Sequence, residues 1–140
     1  MKSSPINLYC SPPQGFTLRP LEEKHVAKTC EAYPHRNDET ARRFESLRLF
    51  NESVGAFNEL DELVAWCYRC NMGALNALQV DASNYRRGFG TLVLKAIAKL
   101  LAETEEDTFG FVMTSNTPSQ ATFTKLGFRI IDRNHWLAIK

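Results

Sequence analysis

Residues 78–91 read LQVDASNYRRGFGT, and this stretch is the most informative one for the fold. A strand-like apolar pattern ends at Val80, a short polar loop follows, and two glycines open a long helical pattern. Glycines at such a junction let backbone N–H groups approach an anion closely, and the helix dipole adds positive potential there. Arg86 and Arg87 add charge beside the glycines. Because short glycine motifs are weak evidence, the stretch predicts either a phosphate-binding loop or only a tight strand-to-helix turn.

The two common nucleotide-binding fingerprints do not fit this stretch. A dinucleotide-binding fingerprint requires a third small residue where Val93 stands. A Walker loop requires Gly-Lys-Ser/Thr, which the stretch does not contain. Both classes of nucleotide-binding protein are therefore excluded as interpretations of the glycines.

Hydrophobic periodicity on either side of this stretch predicts one α/β (α+β) domain over residues 15–140, after a Pro- and Ser-rich lead-in or linker over residues 1–14. The second predicted helix begins at Asn37, a residue type that caps helices well. The expected order is β-α-α-β-β-β-α-β-α-β-β. Strands are predicted at 15–19, 53–57, 63–69, 74–80 and 108–114, with a closing hairpin of 128–132 and 135–139, and helices at 21–33, from 37, at 88–103 and at 118–126.

Composition and charge limit the classes of protein that the chain can belong to. Hydrophobic residues make up 44% of the 140 residues and charged residues 24%, which is typical of an ordered globular domain. The 17 basic and 16 acidic residues nearly cancel, which argues against nucleic acid or a membrane as partner. The first residues lack the apolar run of a signal peptide, so we expect a cytoplasmic protein. We also expect a monomer or a homodimer.

Four cysteines occur, at positions 10, 30, 67 and 70, and only Cys67 and Cys70 have the C-x-x-C spacing of redox and metal sites. These two fall in a strand-like run, where residues three apart point to opposite faces of the sheet. No second C-x-x-C or His pair is available to complete a zinc site. The sequence therefore predicts reduced packing cysteines and no metal.

Two separated motifs resemble those of one family. LQV at residues 78–80, followed by RGFG at 87–90, is similar to motif A of the GCN5-related N-acetyltransferases, the GNAT superfamily. NTPSQATFTKLGF at 116–128 is similar to their motif B, and FTLRPL at 16–21 is similar to their first strand and helix. Within the superfamily the chain most resembles the FR47-like and glycine N-acyltransferase-like branch. The resemblance implies a mixed, mostly antiparallel sheet of about six or seven strands with helices on both faces.

The resemblance further implies an N-acyltransferase that uses acetyl-CoA or another acyl-CoA and no metal. The acyl group would pass to a primary amine of a small molecule or amino acid by direct attack in a ternary complex. In the family the pantetheine arm pairs with the strand that corresponds to residues 78–80, and the pyrophosphate binds the loop that corresponds to residues 86–91. The implied cofactor-binding residues are Leu78, Val80, Arg86, Arg87, Gly88, Phe89, Gly90, Thr91, Asn116 and Phe123.

Two positions depart from the family pattern. Tyr85 stands where the family usually has Gln or Arg, and Phe123 stands where motif B usually offers a tyrosine as the proton donor. A phenylalanine has no proton to give, so the catalytic acid is unassigned. Suitable residue types for the base are His35, Glu59, Asp61, Glu62 and His135, none of which the sequence singles out. A non-catalytic acyl-CoA-binding or regulatory module therefore stays open as the alternative function.

The acceptor amine is expected near the segment between the first two helices, which borders the acceptor pocket in the family. Here an aromatic ring, an imidazole and a guanidinium cluster on a Pro-broken loop, as Tyr33, His35 and Arg36. Arg36 is the residue expected to pair with the carboxylate of an amino-acid acceptor. The alternative, that this segment is an ordinary polar surface loop, also stays open.

Overall fold

A computed structural model describes residues 11–135 and shows an α+β domain built on a four-stranded antiparallel sheet of order β1-β2-β3-β4. None of the helices in these residues is long and apolar enough to cross a membrane. The elements are β1 (Thr17–Arg19), α1 (Val26–Ala32), α2 (Thr40–Phe50), β2 (Ser53–Phe57), β3 (Leu63–Arg69), β4 (Leu75–Val80), α3 (Phe89–Glu103) and α4 (Thr117–Lys125), with 3₁₀ turns at Glu23–His25 and Ala82–Asn84.

Strand β3 forms the centre of the core because both of its faces are buried. Tyr68 packs on the face covered by the helices between β1 and β2, and its ring stacks on Phe44 of α2 at 4.6 Å between centroids. Cys67 points to the opposite face, where it joins the cluster that includes Val93 and Ile97 of α3. This strand alternation places helices on both faces of the sheet, as predicted.

The same alternation separates the two thiols of the C-x-x-C sequence. Cys67 is fully buried on the α3 face, and burial raises the pKa of its thiol to about 12, so the thiol stays protonated. Cys70 packs against the cluster on the α2 face, and both cysteines are free. Cys30 is also free and packs against the same cluster as Cys70, so the prediction of packing cysteines without a disulfide is confirmed for these three, whereas Cys10 lies outside the described residues.

The start of α2 differs from the prediction. The helix begins at Thr40, not at Asn37. The side-chain oxygen of Asn37 accepts the N–H of Glu39 at 2.9 Å, and the N–H of Asn37 donates to the Thr40 hydroxyl at 2.8 Å. Asn37 thus forms a local turn before the helix, a role that asparagine side chains take as readily as capping.

The number of strands also differs from the expected six or seven, since the described residues contain four. The predicted strand at 108–114 contributes one parallel bridge, between Gly110 and Leu75, with the N–H of Leu75 donating to the carbonyl of Phe109 at 2.8 Å. Residues 128–132 form no extended strand. Most of the partner segment in the predicted closing hairpin, residues 136–139, lies outside the described residues. The predicted order is not confirmed beyond α3, because in the described part of the chain α4 follows α3 without the strand expected between them.

We predict that Tyr68→Phe destabilises the fold by about 1 kcal/mol, the usual net value of one hydrogen bond. The Thr29 hydroxyl donates to the carbonyl of Val26 at 2.9 Å, so the buried Tyr68 hydroxyl donates to Thr29 Oγ1 at 2.7 Å. Burial raises the pKa of Tyr68 to about 12, which keeps this donor protonated. Urea unfolding measures the change, with Tyr85→Phe as control because Tyr85 is 55% exposed. Equal stability of Tyr68→Phe and the wild type would show that the buried bond contributes nothing.

Candidate functional site

A cleft opens where β4 and the chain after α3 separate. Beyond the bridge between Leu75 and Gly110, residues 76–80 and residues 111–119 form its two walls. It has two lobes that share the side chains of Leu78, Gln79, Asn116 and Ser119. We call the lobe beside residues 33–35 the loop lobe, of about 590 Å³, and the lobe beside the start of α3 the helix lobe, of about 630 Å³.

A β-bulge in β4 produces the separation. Trp66 pairs with Gln79 and Tyr68 with Asn76, so that Ala77 and Leu78 together oppose the single residue between those two positions of β3. Ala77 has a φ of 56°, a left-handed conformation that residues other than glycine seldom adopt. Bulges bend the strand and re-aim its residues. The bulge thus turns the outer edge of β4 toward the cleft.

The helix lobe ends at the N-terminus of α3. Gly88 caps this helix with a φ of 81° and without a side-chain hydrogen bond, and Arg86 before it has a φ of 64°. The first N–H groups of a helix have no partner within it, and left-handed residues in such a loop turn successive N–H groups toward one point. Since residues 88–91 line the lobe, these groups create positive potential there.

The two glycines of this loop have different roles. The positive φ at position 88 favours glycine over residues with a Cβ atom. Space does not, because a Cβ added to Gly88 would meet no atom within 4 Å. Gly90 has no such requirement, and a Cβ there would lie 3.4 Å from Cγ2 of Val80. Gly90 therefore keeps the space between α3 and the end of β4 open.

The structure brings the predicted cofactor residues together, apart from two. Leu78, Val80, Arg86, Gly88, Phe89, Gly90, Thr91 and Asn116 all line the helix lobe. Arg87 does not line it, since its guanidinium donates to Asn84 Oδ1 at 3.1 Å and lies 5.1 Å from the Phe89 ring. Phe123, only 5% exposed, lines the loop lobe and packs edge-on against Phe128 at 4.9 Å.

The predicted acceptor cluster is divided by the structure. Tyr33 and His35 line the loop lobe, with their rings 5.8 Å apart. Arg36 does not line it, because its guanidinium donates to the carbonyls of Glu31 at 3.2 Å and Tyr33 at 3.4 Å. The arginine that does line the lobe is Arg43 of α2.

Of the five candidate bases, only His35 lines the cleft. Asp61 forms an ion pair with Arg19, and Glu62 accepts from the Asn58 amide at 3.1 Å, both in the turn between β2 and β3. Glu59 shares that turn, and His135 is exposed at the last described position. Among the described residues, no side chain that lines either lobe carries a carboxylate.

Sequence reasoning missed several residues of the cleft wall. Ser119 and Gln79 lie where the lobes join. The Gln120 side-chain amide donates to the carbonyls of Met113 at 3.0 Å and Thr114 at 2.9 Å, which ties α4 to the preceding residues of the same wall. Motif B signalled the segment that holds Ser119 and Gln120, but no pattern indicated which side chains face the cleft.

Many solved structures are similar to this chain, and three of them illustrate the range. An X-ray structure of a Drosophila protein has a TM-score of 0.79 at 26% identity, over 85% of this chain and 41% of that protein, so this chain spans less than half of its length. The aminoglycoside 6′-N-acetyltransferase AAC(6′)-Ih from Acinetobacter baumannii has a TM-score of 0.70 at 15% identity, over 90% and 99% of the two chains. AAC(6′)-Iy, in complex with the bisubstrate analogue CoA-S-monomethyl-acetylneamine, has a TM-score of 0.71 at 14% identity. The match covers 89% of this chain and 98% of that chain.

At the identities of the two acetyltransferases, the likeness concerns the fold alone, and it identifies the α+β fold as that of GNAT acetyltransferases. No curated protein matches the chain. The family model described as FR47-like protein matches residues 53–137, which include the bulged strand, the helix lobe and α4. Because this match covers more than half of the chain, the protein belongs to the FR47-like family.

Proposed function

We propose that residues 15–140 form an acyl-CoA-dependent N-acyltransferase domain, with acetyl-CoA as donor and a primary amine of a small molecule or amino acid as acceptor. The observation that carries this proposal is the order of features along one cleft. An anion-attracting helix N-terminus, an open strand edge and a lobe with an imidazole follow one another. Pyrophosphate, an amide-bearing arm and a thioester follow one another in the same order in acyl-CoA.

The helix lobe fits the pyrophosphate. The N–H groups at the start of α3 and the side chain of Arg86 supply positive potential, and no described residue that lines the lobe carries a carboxylate. Arg87 adds a further positive charge to the same loop, where its guanidinium donates to Asn84. The N–H groups and Arg86 both face the lobe, which supports an anion at this position.

The outer edge of β4 fits the pantetheine arm. Extended molecules with amide groups bind exposed sheet edges by adding to the ladder of backbone hydrogen bonds. Residues 76–80 border both lobes, so an arm paired with them would run from the helix lobe into the loop lobe. Its thioester would then lie where the lobes join, close to Leu78, Asn116 and Ser119.

The reaction forms one N–C bond and breaks one C–S bond. In our proposal the acceptor ammonium gives its proton to His35, and the free amine attacks the thioester carbonyl carbon. In the proposal the tetrahedral oxyanion accepts a hydrogen bond from a backbone N–H group of β4 near Val80. Collapse of the intermediate breaks the C–S bond and releases the thiolate of coenzyme A, and the nitrogen gives its second proton to water to form the neutral amide product.

The phenylalanine at position 123 is compatible with this chemistry. A thiol has a pKa of about 8.5, so a thiolate is a good leaving group near neutral pH and can take its proton from water. Phe123 then forms part of the apolar wall of the lobe. Its ring packs beside Gly110, since a Cβ atom added to Gly110 would lie 3.6 Å from the ring. The alternative, a non-catalytic acyl-CoA-binding or regulatory module, would use the same cofactor site, and thiol release from acetyl-CoA with a panel of amines separates the two.

We expect Gly90→Val to weaken coenzyme A binding at least ten-fold, because the added side chain fills the space between Val80 and the N-terminus of α3. Anion interactions with a helix N-terminus are worth up to about 2 kcal/mol, and about 1.4 kcal/mol corresponds to ten-fold in affinity. Calorimetric titration with coenzyme A measures the change. Ala102→Val, at an exposed position of the same helix, is the matched control and should bind normally. Equal affinities for Gly90→Val and this control would remove the pyrophosphate assignment.

We expect His35→Gln to lower kcat by roughly two to four powers of ten, the usual contribution of a general base, and to leave the KM for acetyl-CoA unchanged. The imidazole lies in the loop lobe, away from the pyrophosphate position. Steady-state thiol release gives both constants, with His135→Gln as control because that residue lies outside the cleft. A His35→Gln variant with full kcat would show that another group, or water, takes the proton.

A further inference from the structure

We infer that Arg43 determines the acceptor specificity of the loop lobe, and that the acceptor is an amine that carries a carboxylate and an apolar side chain. This inference rests on the proposed function. In this inference Arg43 takes the place of Arg36 as the partner of the acceptor carboxylate. The inference also excludes polycationic amines as preferred acceptors.

The first observation is the charge of the loop lobe. Its described lining contains Arg43 and His35 but no aspartate, glutamate or lysine. A polycationic amine would therefore find no carboxylate to compensate its charges and would be repelled by the guanidinium. A carboxylate on the acceptor would instead gain a charge-assisted partner.

The second observation is that Arg43 is available, unlike its neighbours on α2. Arg42 pairs with Glu39, and Arg48 pairs with Glu45, each within one helical turn. Arg43 forms no ion pair with any acidic side chain in the described part of the chain, and its guanidinium carbon lies 5.4 Å from the ring centroids of Tyr33 and Phe44. The two rings hold the guanidinium at the lobe, and its N–H groups suit a planar carboxylate.

The third observation is the apolar rim of the same lobe. Met72, Phe111 and Met113 line it and are 64%, 43% and 58% exposed. Large apolar side chains that are exposed together around a concave site are typical of a surface that a ligand covers. An acceptor with an apolar side chain beside its carboxylate would contact both the rim and Arg43.

Arg36 is unsuited to this role in the structure. Nη1 of Arg36 donates to two carbonyls of its own loop, those of Glu31 and Tyr33. These bonds hold the loop that carries His35, and the residue does not line the lobe.

The test compares two amines that differ only in the carboxylate, L-phenylalanine and 2-phenylethylamine, with acetyl-CoA as donor. We expect the wild type to prefer phenylalanine, and Arg43→Gln to lower the ratio of the two kcat/KM values about 10- to 100-fold. A hydrogen bond to a charged group is worth about 1.5–3 kcal/mol, which corresponds to that range. Arg43→Lys should keep part of the preference, and Arg42→Gln on the same helix should keep all of it. An unchanged ratio in Arg43→Gln, or a wild type that prefers spermidine to phenylalanine, would overturn the inference.

A binding measurement separates this inference from the proposed function. N-acetylphenylalanine should bind the complex with coenzyme A more tightly than N-acetyl-2-phenylethylamine, and Arg43→Gln should remove the difference. If no amine releases thiol but this difference is present, the catalytic proposal fails while the carboxylate site stands. If thiol is released but Arg43→Gln leaves the difference in place, the carboxylate site fails while the catalytic proposal stands.

Discussion

The divergence of β4 from the chain that follows α3 is the constraint on which the site depends. One bridge joins Leu75 to Gly110, and the bulge at Ala77 then turns β4 away. The core does not need this divergence, because β1 to β4 and the helices on both faces bury its apolar side chains. Side chains that line the cleft can therefore serve binding and catalysis, because the packing of the sheet and helices stabilises the fold. Gln120 then ties α4 to residues 113 and 114, which fixes the second wall.

Charged groups make both ends of the cleft positive. The N-terminus of α3 and Arg86 make one end positive, and Arg43 makes the other end positive, with apolar and amide side chains between them. A donor with an anionic end and an acceptor with an anionic end would then enter from opposite sides and meet in the middle. In this account the reacting atoms lie where the lobes join, next to the bulge, and a backbone N–H group of β4 near Val80 would donate to the developing oxyanion.

Sequence patterns predicted those parts that depend on local periodicity. Strands β2 and β3 have the predicted bounds, and α3 begins at the strand-to-helix junction that the glycines predicted. The bulge was not predictable, because alanine gives no signal for the positive φ of Ala77. The roles of Arg36 and Arg43 depend on which backbone carbonyls and rings the tertiary structure places beside each guanidinium. The segment 108–114 has a strand pattern, but whether it pairs is decided by the path of β4.

A crystal structure of the protein with coenzyme A bound tests the central claim most directly. The account predicts that the pyrophosphate accepts hydrogen bonds from backbone N–H groups of residues 86–91. It also predicts that the pantetheine arm runs along the outer edge of β4 and that the thiol lies where the two lobes meet. Coenzyme A bound outside the cleft, or with its pyrophosphate away from the N-terminus of α3, would contradict the account.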